Sequence, residues 1–236
     1  NVFFEPALKK LSGTGQVSPG LCIDKWNNQK ELMDAMIKRI QECYPKVKES
    51  EKLLNKLLGL DAEGFADGAN LELDNFQILS PYRTKYFGSL RINREIQENF
   101  RARANDTYRK DSSFVHSDKI IRVRNFYDKY SKELLLSNGS IGVINKIKSM
   151  PKERIVYFLE DQKPFATKKQ PGIDTNKLPG EEDFELAYAI TVHKSQGSDF
   201  KVVFLIVPDQ KALLNREILY TAFTRSKEKL YVFVKD

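Results

Sequence analysis

The chain has 236 residues, 41% hydrophobic and 30% charged, a balance that fits a folded globular protein and excludes a disordered or membrane-embedded chain. No apolar run approaches the roughly 20 residues needed to cross a bilayer. The net charge of +7 makes a polyanionic partner plausible.

The length suits one large domain carrying a smaller insertion. The start "NVFFEPALKKL" has no basic segment leading into an apolar one and no small-residue cleavage site, so no secretory signal is expected. The absence of an initiating Met suggests a piece of a longer protein. Cys22 and Cys43 lie far apart and form neither a disulfide framework nor a zinc spacing, which favours a reducing, cytoplasmic setting.

In chain order, Asn28 to Cys43 reads as an amphipathic helix, with Leu32, Met33, Met36, Ile37 and Ile40 at three- and four-residue spacing and Pro45 stopping it. A second helix, Val47 to Leu58, ends at Gly59, and the Gly- and Asp-rich loop "GLDAEGFADGAN" follows. "FQILSP" predicts a buried strand delivering "YRTKYFG" to its carboxyl end. The helix "SLRINREIQENFRAR" then places Leu90, Asn93, Ile96, Gln97 and Phe100 on one face, so strand, loop and helix form half a β-α-β unit.

Between Arg83 and Lys110 eight basic residues stand against three acids, most of the charge surplus in one stretch. A solvated helix face accounts for such a run as well as a nucleic-acid footprint does. "KIIRVRNF", "GSIGVINKI" and "RIVYFLE" are short strand-like runs separated by "NG" and by a Met-Pro-Lys turn, with no helix between them. They predict a small all-β insertion, with "KPFATKKQPGIDTNKLPGEED" as the return connection. The α/β pattern then resumes with "ELAYAIT", the doubly apolar "KVVFLIVP", a helix from about Arg216 to Ser226 and the last strand "LYVFV".

The chemistry concentrates in "AITVHKSQGSDF". Thr191, His193, Lys194, Ser195 and Gln196 bring short donors and one cation to a sheet edge, and Gly197 allows close backbone approach. Such a set suits phosphate and sugar contacts on a nucleic acid. Arg83 follows a strand end, where open α/β sheets place ligands and where its guanidinium could fork onto a phosphate; a surface ion pair explains it equally. On the last helix Arg225 falls beside the apolar arc of Ile218, Leu219, Ala222 and Phe223, placed to reach along a domain surface or to snorkel at the core boundary.

Other searches fail. "GTGQVSPG" lacks the Gly-Lys-Ser/Thr of a phosphate loop. Glu160 and Asp161 in "VYFLED" read as a strand end, not a magnesium pair. No metal site and no nucleophile triad is expected.

Together "ILSPYRTKYFG…INREIQ", "DKIIRVRNFYDKY…NGSIGVI", "ELAYAITVHKSQGSDF" and "REILYTAFTRSKEKL" resemble the carboxyl-terminal part of superfamily 1 DNA helicases of the RecD-like, UvrD C-terminal-like branch, from about Asp74 to Asp236. The resemblance implies an α/β fold: a second RecA-like, P-loop NTPase-type domain with a parallel sheet and helices on both faces, spanning 1–112 and 184–236. An SH3-like β-barrel insertion with its return connection would occupy 113–183. The first seventy or so residues match nothing in the family.

By position, Arg225 would be the arginine finger and Arg83 the fourth-motif arginine, both reaching the γ-phosphate. Thr191, His193 and Ser195 would contact single-stranded DNA, with Lys194 beside them. Gln196, Gly197 and Asp199 would link that surface to the nucleotide, Asp199 standing where the family commonly has Glu. Asn125, Tyr127, Asn138 and Gly139 would shape the barrel. ATP and Mg2+ would be shared with an N-terminal RecA-like domain of the same polypeptide, with the Mg2+ ligands on that domain. The expected activity is ATP-dependent, 5′ to 3′ translocation on single-stranded or tailed duplex DNA, with this fragment alone inactive and no membrane partner. A nucleic-acid-binding scaffold from a degenerate helicase, or a superfamily 1 RNA helicase, are the alternatives.

Overall fold

The computed structural model describes residues 14–66, 71–101, 113–128, 130–147, 150–159, 164–166, 181–208 and 216–236. The elements in chain order are β1 (Gly15–Ser18), β2 (Leu21–Trp26), α1 (Gln29–Cys43), α2 (Ser50–Leu57), β3 (Phe76–Ser80), α3 (Ser89–Phe100), β4 (Asp118–Arg122), β5 (Phe126–Tyr127), β6 (Leu134–Leu136), β7 (Ile141–Ile147), β8 (Met150–Phe158), β9 (Pro164–Ala166), β10 (Phe184–Leu186), β11 (Ala189–Thr191), β12 (Phe200–Val207), α4 (Arg216–Thr224) and β13 (Ser226–Lys235). The described residues fall into two compact units. One takes Asn1–Lys48, Asp74–Ile96 and Tyr188–Asp236; the other takes Glu49–Leu73 and Gln97–Ala187. The described residues 49–66, 71–73 and 97–101, grouped with the larger domain on sequence, fall in the second unit.

The first unit is built on a six-stranded sheet in the order β1-β2-β13-β12-β3-β11. Five strands are parallel and β1 runs antiparallel to β2, so the sheet is mixed where the sequence led to a parallel one. The cause is local. Pro19 and Gly20 form a two-residue connection, Gly20 has φ +78°, and Ser18 pairs with Leu21 in a tight hairpin.

The same hairpin brings the unplaced amino-terminal segment into the fold. β2 lies beside β13, Leu21 opposite Leu230 and Trp26 opposite Lys235. The Asn28 side chain accepts from the Glu31 N–H at 3.0 Å and caps α1, while a Glu31 carboxylate oxygen accepts from the Asn27 N–H at 2.9 Å. Arg39 ties α1 back to β2 with a two-pronged pair to Asp24, both contacts 2.8 Å, which holds its guanidinium firmly charged. In the core Phe204 is fully buried, stacked on Tyr231 at 5.0 Å, and Trp26 donates its indole N–H to the Phe233 carbonyl.

The second unit holds an antiparallel sheet in the order β10-β4-β7-β8-β9 and the separate pair β5-β6. Phe114, Ile120, Leu136, Ile144, Val156, Phe158 and Phe184 form its core. Asn125 accepts from the Asn138 N–H at 2.7 Å and donates to the Tyr127 hydroxyl at 3.0 Å, so these residues fix local chain geometry. Met150 and Pro151, expected in a turn, begin β8 instead. Pro151 falls between the pairs Ile147–Met150 and Lys146–Arg154, where the ladder is irregular and a missing donor costs nothing.

The second unit also holds a buried polar network. Arg101, counted on sequence with the basic stretch, is fully buried, donating to the Asn55 side chain and, at 2.7 Å, to the Ser117 carbonyl. Asn145 donates to the Gly64 carbonyl at 2.9 Å and accepts from the Ala66 N–H at 2.8 Å. His116 is held between the Glu63 carbonyl, 3.1 Å from Nε2, and the Lys146 N–H, 3.2 Å from Nδ1.

Candidate functional site

β11 and β3 run parallel with Thr191 opposite Ser80, so the segments leaving them start from the same carboxyl edge of the sheet. After β3 the chain turns tightly. Ser80 Oγ donates to the Phe87 carbonyl at 2.9 Å and accepts from the Tyr82 N–H at 3.2 Å. The loop folds so closely that a Cβ on Gly88 would lie 2.7 Å from the Arg83 backbone. Arg83, Thr84, Lys85 and Tyr86 are exposed on it.

After β11, Thr191 accepts from the Lys194 N–H at 3.4 Å and opens a 3-10 turn, Val192–Ser195. His193 is exposed and Lys194 half-buried. Ser195 is fully buried, its hydroxyl donating inward to the Val192 carbonyl at 2.7 Å. It shapes the turn and offers nothing to solvent, unlike the contact that the resemblance implied.

From Ser195 the chain descends. Gln196 and Gly197 are exposed; Gly197 has φ +85° and open space where a Cβ would stand, so a left-handed backbone, not crowding, calls for glycine. Phe200 begins β12 opposite Ser226, the first residue of β13, while Leu205 pairs with Leu79, next to Ser80. The segment from Thr191 to Phe200 therefore joins opposite edges of the sheet, separated along the strands by about 20 Å at about 3.3 Å per residue.

Arg225 waits at the lower edge. It follows α4 directly, and its carbonyl accepts from the Phe200 N–H at 2.8 Å. Its Nε donates to the Thr221 carbonyl at 3.2 Å, one terminal nitrogen to the Ser198 carbonyl at 2.9 Å, and the other to Thr224 Oγ1 at 3.2 Å. Asp199 lies 3.4 Å from the guanidinium and is itself half-exposed.

The structure thus brings Arg225, Ser198 and Asp199 together, and starts the segments that carry Arg83 and Thr191, His193 and Lys194 from the same sheet edge. It does not bring Arg83 to Arg225, although the resemblance aimed both at one phosphate. Glu160 and Asp161 lie outside the described residues, as do Arg103, Arg109 and Lys110. Among the described residues no group of three His, Cys, Asp or Glu could hold a metal ion, and no helix is long and apolar enough to cross a membrane.

Asn93 was read on sequence only as one position of a helix face. It is buried and hydrogen-bonds both backbone groups of Ala189, two residues before Thr191. A polar residue on the same face as Leu90, Ile96 and Phe100, a signal that Gln97 shares, was what the sequence offered.

Residues 186–233 match the UvrD-like helicase C-terminal domain. An uncharacterized protein, MJ1519 of Methanocaldococcus jannaschii, is 35% identical over 75% of this chain and 16% of its own length. The RecBCD enzyme subunit RecD of Buchnera aphidicola subsp. Acyrthosiphon pisum is 29% identical over 95% of this chain and 37% of its own. That likeness reaches into the amino-terminal residues the motifs left unmatched. Among solved structures, Bacteroides Pif1 bound to ssDNA covers 85% of this chain and 48% of its own, at 14% identity and TM-score 0.37. The chain spans well under half the length of these two curated relatives. These likenesses support a superfamily 1 helicase C-terminal region, UvrD-like at residues 186–233 and RecD-like in its relatives.

Proposed function

We propose that the chain is the carboxyl-terminal portion of an ATP-dependent DNA helicase that moves along single-stranded DNA, 5′ to 3′ in keeping with the RecD-like branch. The observation that carries this is the single segment from Thr191 to Phe200, which ends at one edge beside His193 and Lys194 and at the other beside Arg225. A displacement of either end is passed to the other through a short, hydrogen-bonded path. The five-stranded antiparallel sheet of the second unit is read as the SH3-like insertion; the antiparallel pairing of each adjacent strand supports this.

At the carboxyl edge Thr191, His193 and Lys194, with Arg83 on the adjoining loop, offer donors and positive charge to the phosphates of a strand. At the amino edge Arg225 acts as the arginine finger, with Gln196, Gly197 and Asp199 as the link to the nucleotide. Its guanidinium fits an anion: half-buried, planar and already positioned by carbonyls, it can exchange Ser198 and Asp199 for phosphate oxygens. ATP, when bound, supplies the phosphoryl group to be transferred. The phosphate loop and the Mg2+ ligands belong to an N-terminal RecA-like domain of the same polypeptide, so the fragment alone does not turn over ATP.

The test is Arg225→Ala in the full-length protein. The variant loses ATP turnover by on the order of a thousandfold while still binding single-stranded DNA. Near-normal hydrolysis removes the finger role. ATPase stimulation by RNA in place of DNA reassigns the substrate, and a full-length chain that binds strands but never hydrolyses ATP is a scaffold.

A further inference from the structure

Among the described residues β11 is the last strand of its sheet and pairs on one side only, with β3. Alternate residues of a strand direct their N–H and C=O to opposite sides. Tyr188 accepts from the Ile78 N–H at 3.1 Å, and Ala189 faces the other way. Ala189 is buried, so its N–H and C=O need partners within the fold.

Asn93 of α3 supplies both. Its Nδ2 donates to the Ala189 carbonyl at 2.9 Å and its Oδ1 accepts from the Ala189 N–H at 2.7 Å. One carboxamide thus does for this residue what a neighbouring strand would do. The same helix is fastened at its head to the preceding loop: Ser89 N–H donates to the Tyr82 carbonyl at 2.9 Å and Leu90 N–H to the Arg83 carbonyl at 3.1 Å. Through α3, Asn93 connects the Arg83 loop to the strand that ends at Thr191.

We infer that Asn93 is a positioning residue that holds the Arg83 loop and the Thr191 turn in register, so that one single strand meets both. This rests on the nucleic-acid edge proposed above. Asn93 is buried and touches no strand itself. Its effect runs through Ser89 and Leu90, four and three positions away, on one side, and through Ala189, two positions before Thr191, on the other. The neutral carboxamide is required because Ala189 presents one donor and one acceptor: a carboxylate would face the Ala189 carbonyl with an acceptor, and an aliphatic side chain would leave both groups unpaired.

The experiment is a double-mutant cycle on this chain, read by fluorescence anisotropy of a labelled oligo-dT, with circular dichroism melts to confirm folding. Asn93→Ser weakens binding by about tenfold, and adding Thr191→Ala or Arg83→Ala to it costs far less than either costs alone. A merely structural role would lower the melting temperature and leave the effects on affinity multiplicative, which overturns the inference. So does wild-type affinity in a folded Asn93→Ser chain. Should that variant not fold, Asn93→Gln, which keeps a neutral carboxamide but displaces it by one methylene, is expected to show the same loss of affinity. If Thr191→Ala, His193→Ala and Arg83→Ala all bind as wild type, the nucleic-acid edge itself fails and the inference falls with it; if they weaken binding and Asn93→Ser does not, only the inference falls.

Discussion

Acidification tests the buried network of the second unit through His116. The ring is held by two backbone groups whose roles are fixed: the Glu63 carbonyl can only accept, so Nε2 carries the hydrogen, and the Lys146 N–H can only donate, so Nδ1 is an acceptor. Protonation at Nδ1 would set one N–H against another. Burial lowers the imidazole pKa from 6.5 to about 4, and the nearby charges of Lys146 and Arg101 push the same way. The folded pKa is below the unfolded one, so the fold favours neutral His116. That contribution is complete above about pH 6.5 and is lost as pH falls toward 4.

The linkage relation makes the loss between pH 7 and pH 5 about 2 kcal/mol, before most carboxylates titrate. With only two histidines in the chain, NMR can follow both rings individually. His116 is expected as the Nε2–H tautomer with no titration above pH 5, and urea unfolding is expected to show the matching fall in stability. In His116→Gln the histidine component of that pH dependence disappears. A His116 resonance titrating near pH 6.5, or wild-type stability flat from pH 7 to 5, refutes the reasoning.

Gly197→Ala tests the turn on the coupling segment. With open space around the new methyl, only the left-handed backbone resists it, so stability falls by about 1 kcal/mol in urea unfolding while ATP turnover in the full-length protein falls further. Phe204→Ala removes the ring stacked on Tyr231, with the Phe233 ring 6.2 Å away, in the central strands of the sheet; a loss of about 3–5 kcal/mol in the Trp26-monitored transition is expected. A loss under about 1 kcal/mol would mean that those rings close the gap.

What the sequence determined follows the reach of each interaction. The period of three and four residues in "QKELMDAMIKRI", with Asn28 before it and Pro45 after it, describes α1 almost to the residue because helix bonds and caps are local. The apolar runs "FQILS" and "KVVFLIV" became β3 and β12 for the same reason. The polar run from Thr191 to Asp199 stands out in the sequence because one short segment carries several donors, a cation and a glycine.

Tertiary structure decided what depends on distant partners. β2 finds β13 some two hundred residues later, and neither strand's own pattern encodes that pairing. Ser195 reads as a donor like Thr191, yet the turn points its hydroxyl inward. Arg83 and Arg225 both read as phosphate-seeking arginines. Parallel strand order puts one after a strand's end and the other before a strand's start, and therefore on opposite edges of the sheet. Asn93 became meaningful only when Ala189 was seen to be a buried edge residue with two backbone groups to satisfy. Local periodicity specifies which face is buried; only the assembled sheet specifies which polar groups end at the same edge.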